Sequence, residues 1–231
     1  MSTDPEGLSW CRHDVIINGD VYYAGDYLIQ DNAIVTGTIT QEDPIDLEID
    51  PEEYKAEAQS GGTHDGDLTI DSSPYTLGPL YITGDLTIDD DVDVILGGTV
   101  YVEGKIVIGV KNNATGVTIT GTGNLVAANQ DEEATAIRIW SGVTIDLDNL
   151  PLIMAVSSSG NIHAHGDSIN ISGLLYNTGG WVHIHATAPS SIYGALIGTT
   201  VKVCEDTVVT FDPDIGELAP FEWGIQGWRA N

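Results

Sequence analysis

Cations are scarce in this chain. Its 231 residues hold 7 Lys and Arg against 35 Asp and Glu, a formal net charge of −28. A protein that reads nucleic acid needs clustered cations to displace counterions from phosphates, and one that lies on an anionic membrane needs them on one face, so neither partner is expected. Cysteine is nearly absent too: Cys11 and Cys204 are too few for a disulfide framework, and their spacing fits no zinc module. No apolar run reaches the roughly 18 residues that span a bilayer, and the polar stretch Met1–Gly7 does not have the character of a secretory signal. What is present is 42% hydrophobic residues with only 18% charged ones. That is apolar enough to bury a core, and the acids are spread as a solvated coat rather than gathered in a tail.

Helical periodicity is likewise rare. One short helix is predicted from Pro51 to about Gln59, with Asp50 as N-cap, Pro51 in the first helical position and Gly61-Gly62 as the stop. Elsewhere short stretches alternate apolar and polar residues between Gly and Asn, as in Asp67–Asp71, Leu80–Thr83, Asp85–Asp89 and Lys105–Gly109, the pattern of strands with one buried face. These stretches recur in order. Asp67-Leu-Thr-Ile-Asp71 returns as Asp85-Leu-Thr-Ile-Asp89 after 18 residues, Asn161-Ile-His-Ala-His165 returns as Trp181-Val-His-Ile-His185 after 20, and Gly173 repeats as Gly194 after 21.

A period near 20 without helices predicts an all-β fold, a right-handed parallel β-helix (β-solenoid) of about eight coils. A sandwich or barrel of hairpins competes, but hairpins mirror a motif order rather than repeat it. The expected organisation is one elongated domain: a lead-in 1–13, first coils 14–40, an acidic insertion or side cap 41–62 whose helix is suited to cover an end of the solenoid, a main β-helix 63–215 and a C-terminal cap 216–231. With Cys11 and Cys204 near opposite ends of the coils, about 35–40 Å apart, both are expected as free thiols.

Gly98-Thr-Val-Tyr-Val-Glu-Gly104, Ile106-Val-Ile108 and Val117-Thr-Ile-Thr-Gly-Thr-Gly-Asn-Leu-Val-Ala127, with Ser172-Gly-Leu-Leu-Tyr176 and Ile192-Tyr-Gly-Ala-Leu-Ile197 further on, resemble the coils of β-helical ectodomains of type IV pilus-associated proteins. Minor pilin-like proteins and the cellulose-binding tapirins carry related domains. The resemblance implies an extracellular or cell-surface location, an N-terminal anchor outside this chain, and pilus subunits as partners. It is architectural and supplies no catalytic set.

The chain's own chemistry centres on two H-x-H pairs one repeat apart, His163/His165 and His183/His185. Residues i and i+2 of a strand share a face, so the four imidazoles form an outward square about 7 Å by about 4.8 Å. Such rings can converge on Zn²⁺, Cu²⁺ or Ni²⁺, or stack as a purely structural ladder. Aligning neighbouring alternating stretches places Asp146, His163, His183 and Lys202 in one column and Asp148, His165, His185 and Cys204 in the next, with the carboxylates supporting the ligands. Asp89, Asp90, Asp91 and Asp93 group oxygens that suit Ca²⁺, or serve as a solvated turn. Trp140 and Trp181, with Tyr176 and Arg138, offer a surface on which sugar rings can stack, or cover coil corners.

The sequence contains no nucleophile elbow, P-loop or dinucleotide fingerprint. With so few cations, an acidic polysaccharide is not expected as a lyase substrate. The expected function is a non-catalytic surface domain in adhesion or as a pilus accessory, binding polysaccharide. A metal-binding module and a polysaccharide-acting enzyme are the alternatives.

Overall fold

The computed structural model describes residues 8–30, 32–41, 49–111, 116–129, 135–148, 151–156 and 160–212; the expected C-terminal cap at 216–231 lies outside them. Within these residues the strands form a nine-stranded sheet, a fourteen-stranded sheet and a two-stranded pair, and neighbouring strands run parallel throughout. The chain is a parallel β-solenoid. The narrower sheet receives one strand from each turn and so counts nine turns, close to the expected eight.

Alternation explains the winding. Along the nine-stranded sheet, Leu68, Leu86, Ile106, Ile137, Ile162, Val182 and Val201 stand in one inward column. Ile70, Ile88, Ile108, Ile139, Ala164, Ile184 and Val203 form the next. Removing each Ile, Leu or Val from water stabilises the fold by about 1.5–3 kcal/mol. The wider sheet turns a corner within the strands Asn170–Asn177 and Ser190–Ile197. There Gly173 and Gly194 lie side by side at φ +147° and +145°. A Cβ on Gly194 would fall on the carbonyl of Gly173, which accounts for the recurring glycine.

Stack order departs from chain order. The strand Leu8–Arg12 pairs with Thr200–Cys204, and Ile16–Asn18 pairs with Thr207–Phe211. The expected first coils, 14–40, therefore continue the solenoid beyond the last turn of its main body, and Asp26–Ile29 and Ile34–Val35 form its outermost rungs. Cys11 and Cys204 consequently lie on neighbouring strands rather than at opposite ends. They are nonetheless free: Cys11 belongs to the inner core, whereas Cys204 shares the outer face with the histidines.

The chain must then return from Gln41, at that end, to Thr63 at the other. The helix α1 (Pro51–Gly61) lies on this return, capped by Asp50, whose carboxylate accepts from Glu52 N at 3.0 Å. Of the two expected placements it takes the side cap, not the end cover. It packs on the outer face of the wider sheet against Leu80–Ile82 and Val100–Val102. There Ala58, Tyr54 and Ile49 join Tyr101, Val126, Met154, Tyr176 and Ile197 in a second apolar cluster outside the coils. Lys55 closes its edge with an ion pair to Glu103 at 2.6 Å.

Candidate functional site

The strands Asn161–Gly166 and Trp181–Ala186 pair with His163 beside His183 and His165 beside His185. Ile162, Ala164, Val182 and Ile184 are buried, so the imidazoles project from the outer face and make the expected square. Thr200–Cys204 adds Lys202 beside His183 and Cys204 beside His185. On the opposite flank, Thr135–Ile139 brings Arg138 beside His163 after a bulge between Thr135 and Ile137. Trp140 follows, its ring edge-on to His165 with centroids 5.9 Å apart.

The rings pack against one another, one cross-strand pair stacked and the other edge-on, rather than converge. His163 and His183 lie 4.6 Å apart and 7° from parallel, and His165 meets His185 at 4.8 Å and 70°. Their nitrogens point to separate partners: Arg138 Nη1 donates to His163 Nδ1, His183 Nε2 lies 3.9 Å from Cys204 Sγ, and His185 Nε2 lies 3.3 Å from the Glu205 carboxylate. Among the described residues no group of three His, Cys, Asp or Glu is arranged to hold a metal ion.

Charge near the square differs from the acidic body. Burial, with Arg138 and the other imidazoles adding to it, pushes His163 down to about 3. Burial and then Lys202 push His183 down to about 4, and burial followed by His185 lowers His165. These three rings are neutral at pH 7. The four strands that build the face carry no Asp or Glu. Arg138 and Lys202 lie on it, Arg12 adjoins Cys204 on the next strand, and Lys111 is near enough to act on His165. Four of the chain's 7 cationic residues thus gather here. The acidic run 131–133 preceding these strands lies outside the described residues.

Trp181 is 51% exposed at the start of its strand. Its backbone is fixed from two sides: Asn161 Oδ1 accepts from Trp181 N at 2.9 Å, and Asn177 Nδ2 donates to Trp181 O at 3.1 Å. Asn177 is 1% exposed and also holds the turn through Gly160 O and Gly180 N. Neither asparagine belongs to a chemical motif of the sequence. The recurring Gly-Asn and Gly-Asp dipeptides at coil corners are the signal that finds Asn161.

Three sequence-predicted residues lie elsewhere. Asp146 sits on the wider sheet between Thr120 and Ser172, and Asp148 follows it at the exposed end of that strand, so neither supports the imidazoles. Tyr176 is only 7% exposed, buried in the outer cluster with Met154 and Ile197, and offers no stacking surface. The acids of 89–93 serve the turn: Asp90 Oδ1 accepts from Val110 N at 2.8 Å, Asp91 adopts φ 59°, and Asp93 accepts from Ser73 Oγ at 3.2 Å. They are not gathered as a Ca²⁺ ligand set.

Among the described residues no helix is long and apolar enough to cross a membrane. No curated protein and no solved structure matches the chain. A family model described as a domain of unknown function, DUF7305, matches residues 28–218, and the chain belongs to that family.

Proposed function

We propose that this β-solenoid is a non-catalytic, surface-displayed module that attaches to polysaccharide through the outer face of its nine-stranded sheet. The observation that carries this reading is Trp181, half exposed yet clamped by Asn161 and Asn177 beside an imidazole-covered face. With the Trp181 backbone anchored on both sides, its indole projects from a set point of the coil and presents a flat apolar surface to a sugar ring. The stacked strands make the face long and rigid, suited to a polymer rather than to a small molecule in a pocket. Adhesion, or service as an accessory of a type IV pilus with pilus subunits as partners, is the role that the sequence resemblance adds.

Retention on a panel of insoluble and soluble polysaccharides tests the reading. Wild type should be retained on at least one polymer, and Trp181→Ala should lose about tenfold in affinity or more. No retention on any polymer would overturn it. Release of reducing sugar from a retained polymer would instead make the protein an enzyme.

A second reading is a metal-binding module, favoured by His183 Nε2 and Cys204 Sγ at 3.9 Å with His185 alongside. Neutral imidazoles do not need to lose a proton before they ligate, but the rings must turn out of their stacks to share Zn²⁺, Cu²⁺ or Ni²⁺. Unchanged Zn²⁺ and Cu²⁺ isotherms in the His183→Ala, Cys204→Ser double variant would dismiss it.

A further inference from the structure

Arg138 has an unusual setting. Its guanidinium is half-buried, stands 5.1 Å from the centroid of the Trp140 ring, and donates Nη2 to Thr135 Oγ1 at 2.8 Å and Nη1 to His163 Nδ1. Every one of these partners is uncharged. Among the described residues no carboxylate pairs with it, although the chain has 35 acids. Buried charges are ordinarily paired because desolvation costs more than neutral partners return. A guanidinium has five N–H donors in a planar fork that fits a carboxylate or sulfate, and the protein's contacts leave part of that fork uncommitted. Lys202 lies on the same face three strand spacings away, about 14 Å, with only the two histidine strands between them.

We infer that the ligand of this face is an acidic glycan, its carboxylate or sulfate held by Arg138, a further acid group reaching Lys202, and a sugar ring lying on Trp181. The inference rests on the polysaccharide reading and narrows it. It also reverses the expectation drawn from net charge, because four of the 7 cations gather on a face whose four strands carry no acid, with Glu205 at its edge beside His185. At physiological salt the field of the acidic coat decays within about 8 Å, so a chain confined to this face is shielded from the acids on the other faces. His163 and His183, in line between the two cations, are held neutral by burial and supply hydrogen bonds rather than charge.

The probes are a short oligogalacturonate, a sulfated oligosaccharide of similar length and a neutral cello-oligosaccharide, titrated by calorimetry at two salt concentrations. An acidic probe should bind more tightly than the neutral one and weaken as salt rises. Arg138→Gln should lose about tenfold or more for it while leaving the neutral probe unchanged. Lys202→Gln, on the far side of the two histidine strands, repeats the test should Arg138→Gln fail to give the wild-type thermal melt. The carboxylated and sulfated probes tell which anion is preferred. If the neutral probe binds as tightly as both acidic ones and neither substitution discriminates, the acidic-glycan inference falls while the polysaccharide reading stands. If no saccharide binds, both fall.

Discussion

Asp67 and Asp85 each act on the chain one turn beyond. Asp67 Oδ1 accepts from Asp85 N at 2.8 Å, and Asp85 Oδ1 accepts from Lys105 N at 2.9 Å. The preceding glycines make room: a Cβ on Gly84 or Gly104 would fall on the carboxylate that comes up from below. Asp20 does the same for Thr38 beside Gly37. The Gly-Asp corner is therefore a propagating hydrogen bond, and part of the acid content is structural. Gly84→Ala should destabilise by about 1–3 kcal/mol through forced overpacking, and Asp85→Ala by about 0.5–1.5 kcal/mol through the lost hydrogen bond to Lys105 N, both read as shifts of the denaturation midpoint. The imidazoles give a pH prediction. His163 and His183 titrate near about 3 and about 4 when folded, below the unfolded value of about 6.5. Between those limits the unfolded chain binds more protons, so their linkage lowers stability as pH falls from about 6.5 toward 3 and is flat above. The stability difference between wild type and the His163→Gln, His183→Gln variant should shift in that window in favour of the variant. A difference independent of pH from 7 to 3.5 would contradict the neutral, buried assignment.

At the scale of elements, alternation and repeated motifs showed the strands, the solenoid and the outward imidazoles, because period-two burial and motifs that return after 18, 20 and 21 residues leave direct marks in a sequence. The neighbours of the square were harder to read. Every face of the solenoid alternates in the same way, so Ile145-Asp-Leu-Asp148 looks as good a neighbour for the histidines as Ile137-Arg-Ile-Trp140. The steps from Asp146 or Arg138 to His163 are 17 and 25 residues, neither close to the repeat of 20, and only the parallel pairing of Arg138 with His163 decides between them. The helix was readable from its caps, but its resting place was not, since the apolar residues it covers, Tyr101, Val126 and Met154, lie on separate strands far apart in sequence. That cluster makes α1 a strap along the side. Ala58 is fully buried beneath it, so Ala58→Glu should lift the strap, speed cleavage of residues 49–62 in limited proteolysis, and cost a few kcal/mol of stability. Asp50→Ala removes only the N-cap and should cost about 1 kcal/mol.

Over the whole molecule, charge and stack order act together. A solenoid ends in open strand edges, which invite pairing with another chain. Here the outermost rungs come from the N-terminal coils, where Tyr27, Leu28, Ile34 and Ile39 are exposed, and among the described residues nothing pairs with the outer edge of Asp26–Ile29. Burying such side chains between two copies would be favourable by the hydrophobic effect. A net charge of −28 on each copy opposes it. The two terms respond differently to salt: screening shortens the reach of charge repulsion to about 3 Å at 1 M, while apolar attraction persists or strengthens in excluded salts. The protein should therefore be monomeric at low ionic strength and associate through this end as sodium chloride or sulfate is raised, seen as an increase in mass by light scattering. Leu28→Lys with Ile34→Lys should abolish the increase without altering the melting temperature at low salt by more than a few degrees, because both side chains already face solvent. A salt-induced mass increase that survives this pair of substitutions would place the association elsewhere on the rod.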